Sequence, residues 1–146
     1  MAKADGGLRK VFQKYLPKPD WLWTPVETGG TQNGVPDSYY ANRKERFHGW
    51  LECKKTDGWA VKFESHQLSW MERHADAGVH VWVAIRGLGV GSGGGLGDSL
   101  WLAPATAADA ISLYGLNGVP RDSFYGVWFG PPKDWDWKAI AHALGH

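Results

Sequence analysis

Three side chains in the first half of the chain have types and spacing suited to phosphoryl chemistry. Asp37 follows Pro36, and Glu52 and Lys54 stand two apart inside the run Trp50-Leu51-Glu52-Cys53-Lys54. That run reads as a strand, and a strand interior is a costly place for charge unless the charge faces water or serves chemistry. Residues 37–41 and 47–54 read as the two arms of a hairpin around the polar turn 42–46. With the turn centred on Lys44 and Glu45, Asp37 falls opposite Glu52, their Cβ atoms about 4.5–5.5 Å apart. Period-two alternation puts Lys54 on the face of Glu52 and turns Leu51 and Cys53 towards a core.

Two carboxylates that close repel each other unless a cation or a proton lies between them. Hard oxygen ligands at that separation suit Mg²⁺, with Mn²⁺ as a substitute; both ions keep waters and bind substrate phosphates. Such an ion polarises a phosphoryl oxygen and lowers the pKa of an attacking water. A neighbouring lysine orients that water or offsets charge building on the phosphate. The set is sufficient for phosphodiester hydrolysis. Bland readings stand beside it: Asp37 as a turn-entry aspartate, Glu52 and Lys54 as an exposed strand face.

The surrounding pattern supplies elements to hold such a site. Leu8, Val11, Phe12, Tyr15 and Leu16 fall at helical spacing, which predicts an amphipathic helix over 8–16 with Arg9, Lys10 and Lys14 on its outer face, ended by Pro17 and Pro19. Residues 20–27 read as partly extended and 28–34 as a loop. A further short strand is expected at 59–63. A helix over 66–77, capped by Ser65 and stopped by Gly78, turns Leu68, Met71 and Ala75 inward. Residues 79–85 are apolar on both faces, as in a buried central strand. Gly87 to Gly97 is a connection without the Gly-Lys-Ser/Thr of a phosphate-binding loop. Strands at 98–103 and 127–129, a helix over 106–114 and a final helix capped by Asp134, with Trp135, Ala139 and Ala143 inward, complete an α/β (α+β) chain: a mixed central sheet flanked by helices.

At 146 residues, with 43% apolar and 21% charged residues, the chain is one globular domain, 1–146. Its single cysteine excludes an internal disulfide and fits a reducing compartment. No apolar leader and no run of about 20 apolar residues is present, so a soluble, cytoplasmic protein with no membrane partner is expected. Net charge is only +1, but residues 1–62 carry eleven Lys/Arg against seven Asp/Glu, and the rest five against eight. A basic zone around a few carboxylates suits a polyanion.

Gly34-Val35-Pro36-Asp37 followed by Glu52-Cys53-Lys54 resembles the PD-(D/E)xK nuclease signature, most closely that of small phage-type nucleases of the VRR-NUC and Holliday-junction-resolvase groups. The resemblance spans about residues 27–85, with 98–146 as an extension on the same domain. It implies a restriction-endonuclease-like αβββαβ core and a metal held by Glu27, Asp37, Glu52 and the Cys53 carbonyl. It also implies that Gln67, near the start of the following helix, joins Asp37, Glu52 and Lys54 in catalysis. The implied partner is DNA, above all branched or junction DNA cut by a homodimer, in the host cytoplasm if the protein is phage-encoded. Arg43, Lys44, Arg46, Lys55, Arg9, Lys10 and Lys14 are the candidate nucleic-acid contacts. Two other classes stay open: a catalytically inactive nucleic-acid-binding relative, and a tryptophan-rich ligand-binding module. The ten tryptophans also read as more than one small core hides, which points some of them to an interface.

Overall fold

A computed structural model describes residues 5–26, 34–89 and 97–146. Helix α1 (Leu8–Tyr15) buries Leu8 and Phe12 completely and leaves Lys10 and Lys14 exposed, as its periodicity requires. The chain then forms β1 (Trp21–Pro25), β2 (Ser38–Asn42) and β3 (Phe47–Thr56), crosses over through α2 (Ser65–Asp76), and returns as β4 (Val81–Gly87). Strand β5 (Ser99–Pro104), helix α3 (Ala108–Tyr114), strand β6 (Gly126–Phe129) and helix α4 (Trp137–Leu144) follow. The six strands form one sheet in sequence order. Every neighbouring pair is antiparallel except β3 and β4, which are parallel. A parallel pair needs a crossover connection, and α2 provides it.

Both faces of the sheet are covered. On one, Tyr40, Leu51, Cys53, Trp82, Ala84 and Leu102 pack with Leu8 and Phe12 of α1 and Ile140 and Leu144 of α4. On the other, Val83, Ile85, Trp101 and Ala103 pack with Trp70 and Met71 of α2 and Ile111 of α3. Residues 81–85 are buried on both faces, so β4 is the central strand its continuous apolar run predicts. Tyr40 is fully buried, and its hydroxyl donates to the Leu144 carbonyl at 2.7 Å. That bond ties the β2–β3 hairpin to α4. Gly49 faces the Tyr40 hydroxyl so closely that a Cβ there would stand 2.4 Å from the oxygen.

Several expected boundaries are displaced, each for a local reason. Residues 59–63 form no strand, because both neighbours of β3 are already taken and the sheet edges belong to β1 and β6. Val61 and Phe63 still alternate inward, without ladder bonds. Helix α2 is capped by Glu64, in extended conformation, and Ser65 is its first helical residue. Trp70 and Met71 are its buried residues, with Leu68 and Ala75 only half-buried. Asp136, not Asp134, caps α4 by accepting from the Ala139 amide at 3.0 Å. Asp134 closes a preceding 3₁₀ turn, Trp135 is buried ahead of the helix, and Ile140 and Leu144 join Ala143 inward while Ala139 is half-buried. Residues 20–27 contribute a true edge strand, β1. The loop over 28–34 lies almost wholly outside the described residues, as do 90–96 of the glycine-rich connection. Among the described residues, no helix is long and apolar enough to cross a membrane.

The domain hides its tryptophans more fully than their number promises. Trp21, Trp70, Trp82, Trp101 and Trp135 are buried, and Trp23, Trp50, Trp128 and Trp137 are packed against the same cores. Only Trp59, at 38%, is substantially exposed. The expectation that surplus tryptophans serve an interface loses its basis.

Candidate active site

The site is built where β2 begins and β3 nears its end. The hairpin register pairs Ser38 with Leu51 and Asn42 with Phe47, which places Asp37, one residue ahead of β2, opposite Glu52. The two residues interlock rather than merely face each other. The Asp37 amide donates to Glu52 Oε1 at 3.1 Å, and Asp37 Oδ2 accepts from the Cys53 amide at 3.2 Å. Ser38 Oγ donates to Asp37 Oδ1 at 3.2 Å. Each carboxylate is thus bound to main chain of the opposite strand, so neither can swing away without breaking the end of the ladder.

Alternation along β3 sends Leu51 and Cys53 into the α1/α4 core and Glu52 and Lys54 towards α2. There Gln67, in the first turn of α2, joins them. Its Nε2 donates to Glu52 Oε2 at 3.0 Å, and its Oε1 accepts from Lys54 Nζ at 3.0 Å and from the Glu64 amide at 2.9 Å. Lys54 Nζ also lies 3.6 Å from Glu52 Oε2 and 5.2 Å from the centre of the Phe63 ring. Gly34 makes the close approach possible: its φ is +85°, and a Cβ there would stand 2.0 Å from the His66 carbonyl oxygen and 2.9 Å from the Gln67 amide nitrogen. Only glycine fits both the left-handed backbone and the contact.

Charge here is poorly compensated. Burial first, then the Asp37 carboxylate, raise Glu52 from 4.5 to about 7, against the lowering influence of Lys54 and the Asp37 amide. Burial raises Asp37 from 3.8 to about 6, although the Cys53 amide, Arg9 and Ser38 all lower it. Glu52 is only 5% exposed, so water does little to screen the pair. The Cys53 thiol is pushed well above its ordinary value by burial and by the two carboxylates, which makes it an inert core residue.

The donor set fits a hard divalent cation. Asp37 and Glu52 bring two carboxylates together, and burial, with the Asp37 charge added at Glu52, raises both pKa values. Among the described residues no group of three or more His, Cys, Asp or Glu side chains is placed to hold a metal. Two carboxylates with waters and a main-chain oxygen suit Mg²⁺ or Mn²⁺, and not the closed nitrogen and sulfur shell of structural zinc. Cys53, the candidate source of that main-chain oxygen, lies on β3 opposite Ala84 of β4. Glu27 lies outside the described residues.

Asp37, Glu52, Lys54 and Gln67 are therefore gathered in one place, whereas the candidate cationic contacts are dispersed. Arg9 lies near Asp37 and its Nε is paired with Asp5 Oδ2 at 3.2 Å. Lys10 and Lys14 sit on the exposed face of α1. Lys55 packs against the Gly6 turn, where a Cβ on Gly6 would lie 3.2 Å from its own Cβ. Arg43, Lys44 and Arg46 occupy the far end of the hairpin, about 17 Å from Asp37 at the rise of an extended strand.

Asp5 is the neighbour that sequence reasoning missed. It is 7% exposed, accepts from the Gly7 amide at 2.9 Å and the Arg9 amide at 3.2 Å, and raises the pKa of Asp37. Arg86 fixes this turn, donating to the Gly6 carbonyl at 3.0 Å while gripping both Asp98 oxygens at 3.0 and 2.9 Å. The available signal was an aspartate two residues before the glycine that precedes a helix, a position from which carboxylates satisfy first-turn amides. A scan of the chain against protein-family models and a search of curated proteins return no match.

Proposed function

We propose that the protein is a divalent-metal-dependent endodeoxyribonuclease with a restriction-endonuclease-like core of the PD-(D/E)xK type. The observation that carries this reading is the interlocked Asp37–Glu52 pair, joined to Lys54 through Gln67. The run α1-β1-β2-β3-α2-β4, with its single parallel pair after the crossover, supports it as the αβββαβ order the resemblance implies. A structural ion pair has no need of a buried and a half-buried carboxylate interlocked with raised pKa values, and strong perturbation of this kind clusters at reactive sites.

In this mechanism Asp37 and Glu52 would hold Mg²⁺, with the Cys53 carbonyl as a further oxygen. When bound, the ion supplies Lewis acidity towards a phosphoryl oxygen and an acidified water. The chain's own residues do the rest. Hydrogen bonds from main-chain amides fix one oxygen of each carboxylate, which limits how far either can move. Lys54, drawn to Gln67 Oε1, presents its ammonium to the attacking water or to charge accumulating on the phosphate. Gln67 is a positioning residue, since its amide spans Glu52 and Lys54. Branched DNA and a homodimeric active form belong to the same proposal. Exposed Leu113 and Tyr114 on α3 and Phe129 on β6 offer apolar surface for a second copy. Incubation of the protein with linear duplex and four-way-junction DNA, with Mg²⁺, Mn²⁺ or EDTA, tests the activity. Metal-dependent nicking that Asp37→Asn abolishes is the expected result, and absence of cleavage with either ion on every substrate refutes it.

A further inference from the structure

A groove of about 780 Å³ lies away from the carboxylate pair, between the tip of the β2–β3 hairpin and α4. Lys44 and Arg46 enter it from the hairpin and Lys138 from α4, with the aromatic rings of Phe47 and Tyr125 on its walls. Among the described residues none of these three cations makes a salt bridge. Two carboxylates share the rim, Glu45 and Asp136, and Asp136 is engaged with the Ala139 amide as the helix cap. The groove thus brings three cationic side chains together with two carboxylate side chains.

Arg46 occupies the left-handed corner of the turn, at φ +63°. A non-glycine residue there costs about 1–3 kcal/mol, and such positions cluster at ligand clamps. The corner sets the direction of its side chain. Tyr125 is 44% exposed, and its ring meets that of Trp82 in a T-shaped contact at 5.9 Å, which orients it at the groove wall. A groove of this size with cationic side chains and an aromatic wall lies within the volume range of ligand sites, though it is open on one side.

We infer that this groove binds one unpaired nucleotide of a DNA strand, its phosphate among Lys44, Arg46 and Lys138 and its base stacked on Tyr125. The inference rests on the nuclease reading and specifies its substrate. The groove opens on the α4 side of the hairpin, whereas Glu52 and Lys54 face α2. The two lie about 17 Å apart along the hairpin, the axial run of about five base pairs. Because the two lie on opposite faces of the hairpin, a straight duplex laid along one face meets only one of them without bending. A strand leaving a branch reaches both.

The test is fluorescence-anisotropy binding of a short labelled oligothymidylate, and of a duplex of equal charge, to the full chain in EDTA. Arg46→Gly suits the left-handed corner and keeps the fold. Combined with Lys138→Ala it is expected to weaken single-strand binding about tenfold or more, and to flatten the salt dependence by about 0.7 per cation lost. Tyr125→Ala is expected to weaken the single strand by about fivefold or more and leave the duplex unchanged, since stacking needs a free base face. Wild-type affinity in the groove variants, or an equal loss for both DNAs in Tyr125→Ala, overturns the groove assignment. Cleavage that persists while binding ignores the groove disproves this inference alone. Groove-dependent binding without any cleavage disproves the nuclease reading and leaves the groove standing.

Discussion

The two ends of the β2–β3 hairpin carry charge in opposite ways. At the open end Glu52 is buried, Asp37 and Lys54 are half-buried, and main-chain amides and Gln67 fix all three. At the tip Arg43, Lys44 and Arg46 stand in solvent, and none makes a salt bridge among the described residues. Buried, mutually constrained charge is expensive, and its geometry is set to a fraction of an ångström. Solvated charge costs little and adapts to whatever approaches. The first arrangement suits bond-making chemistry and the second suits holding a long polyanion.

The largest effect is expected at the open end. Asp37→Asn or Glu52→Gln should abolish metal-dependent cleavage, while thermal melting of the metal-free protein stays level or rises because a repelling pair is relieved. A clear fall in metal-free melting temperature would mark the pair as structural and erase the contrast with the tip.

Lys54 and Gln67 separate chemistry from positioning. Lys54→Ala should lower turnover by about 10²–10³-fold, the usual cost of losing one electrostatic stabiliser, with Mn²⁺ affinity within a few-fold. Gln67→Ala should cost about 10–100-fold, since Glu52 and Lys54 remain but lose their shared partner. Its metal affinity should weaken too, because Glu52 Oε2 is set free. Calorimetric Mn²⁺ titration beside initial rates distinguishes them.

The open end should also respond to pH where the tip does not. Both acids are raised in the fold, Asp37 from 3.8 to about 6 and Glu52 from 4.5 to about 7. Their contribution to stability is therefore complete below about pH 4 and is lost as pH rises through about 6 and then about 7. Denaturation of the metal-free protein across this window should show declining stability. The decline should shrink in Glu52→Gln and flatten in saturating Mn²⁺, which favours the ionised pair. At the tip, Arg43→Ala should shift unfolding free energy by no more than about 0.5 kcal/mol, measured by urea denaturation.

The same contrast explains what the sequence disclosed. The hairpin register was readable because turn chemistry and period-two alternation are local, and together they set Asp37 opposite Glu52. Gln67 entered only through the family resemblance, since a glutamine in a first helical turn says nothing by itself. The parallel union of β3 with β4 was not readable, since it depends on where α2 deposits the chain. The absent strand at 59–63 shows the same limit: apolar alternation recorded burial of Val61 and Phe63, but ladder partners are a property of the whole sheet. Caps moved from Ser65 to Glu64 and from Asp134 to Asp136 because several capping residues stood close together and tertiary packing chose among them. Asp5 escaped notice because nothing local says that the turn before α1 folds back towards Asp37.

The hydroxyl of Tyr40 has a consequence for biosynthesis. Its acceptor, the Leu144 carbonyl, lies 104 residues further along the chain. As the polypeptide leaves the ribosome, β1 to β4 are complete long before α4 exists. Until then one face of the hairpin that carries Asp37 and Glu52 has lost its α4 cover and holds an unpaired hydroxyl. Closing so long a loop is slow. The hairpin therefore gains its full cover only when α4 docks.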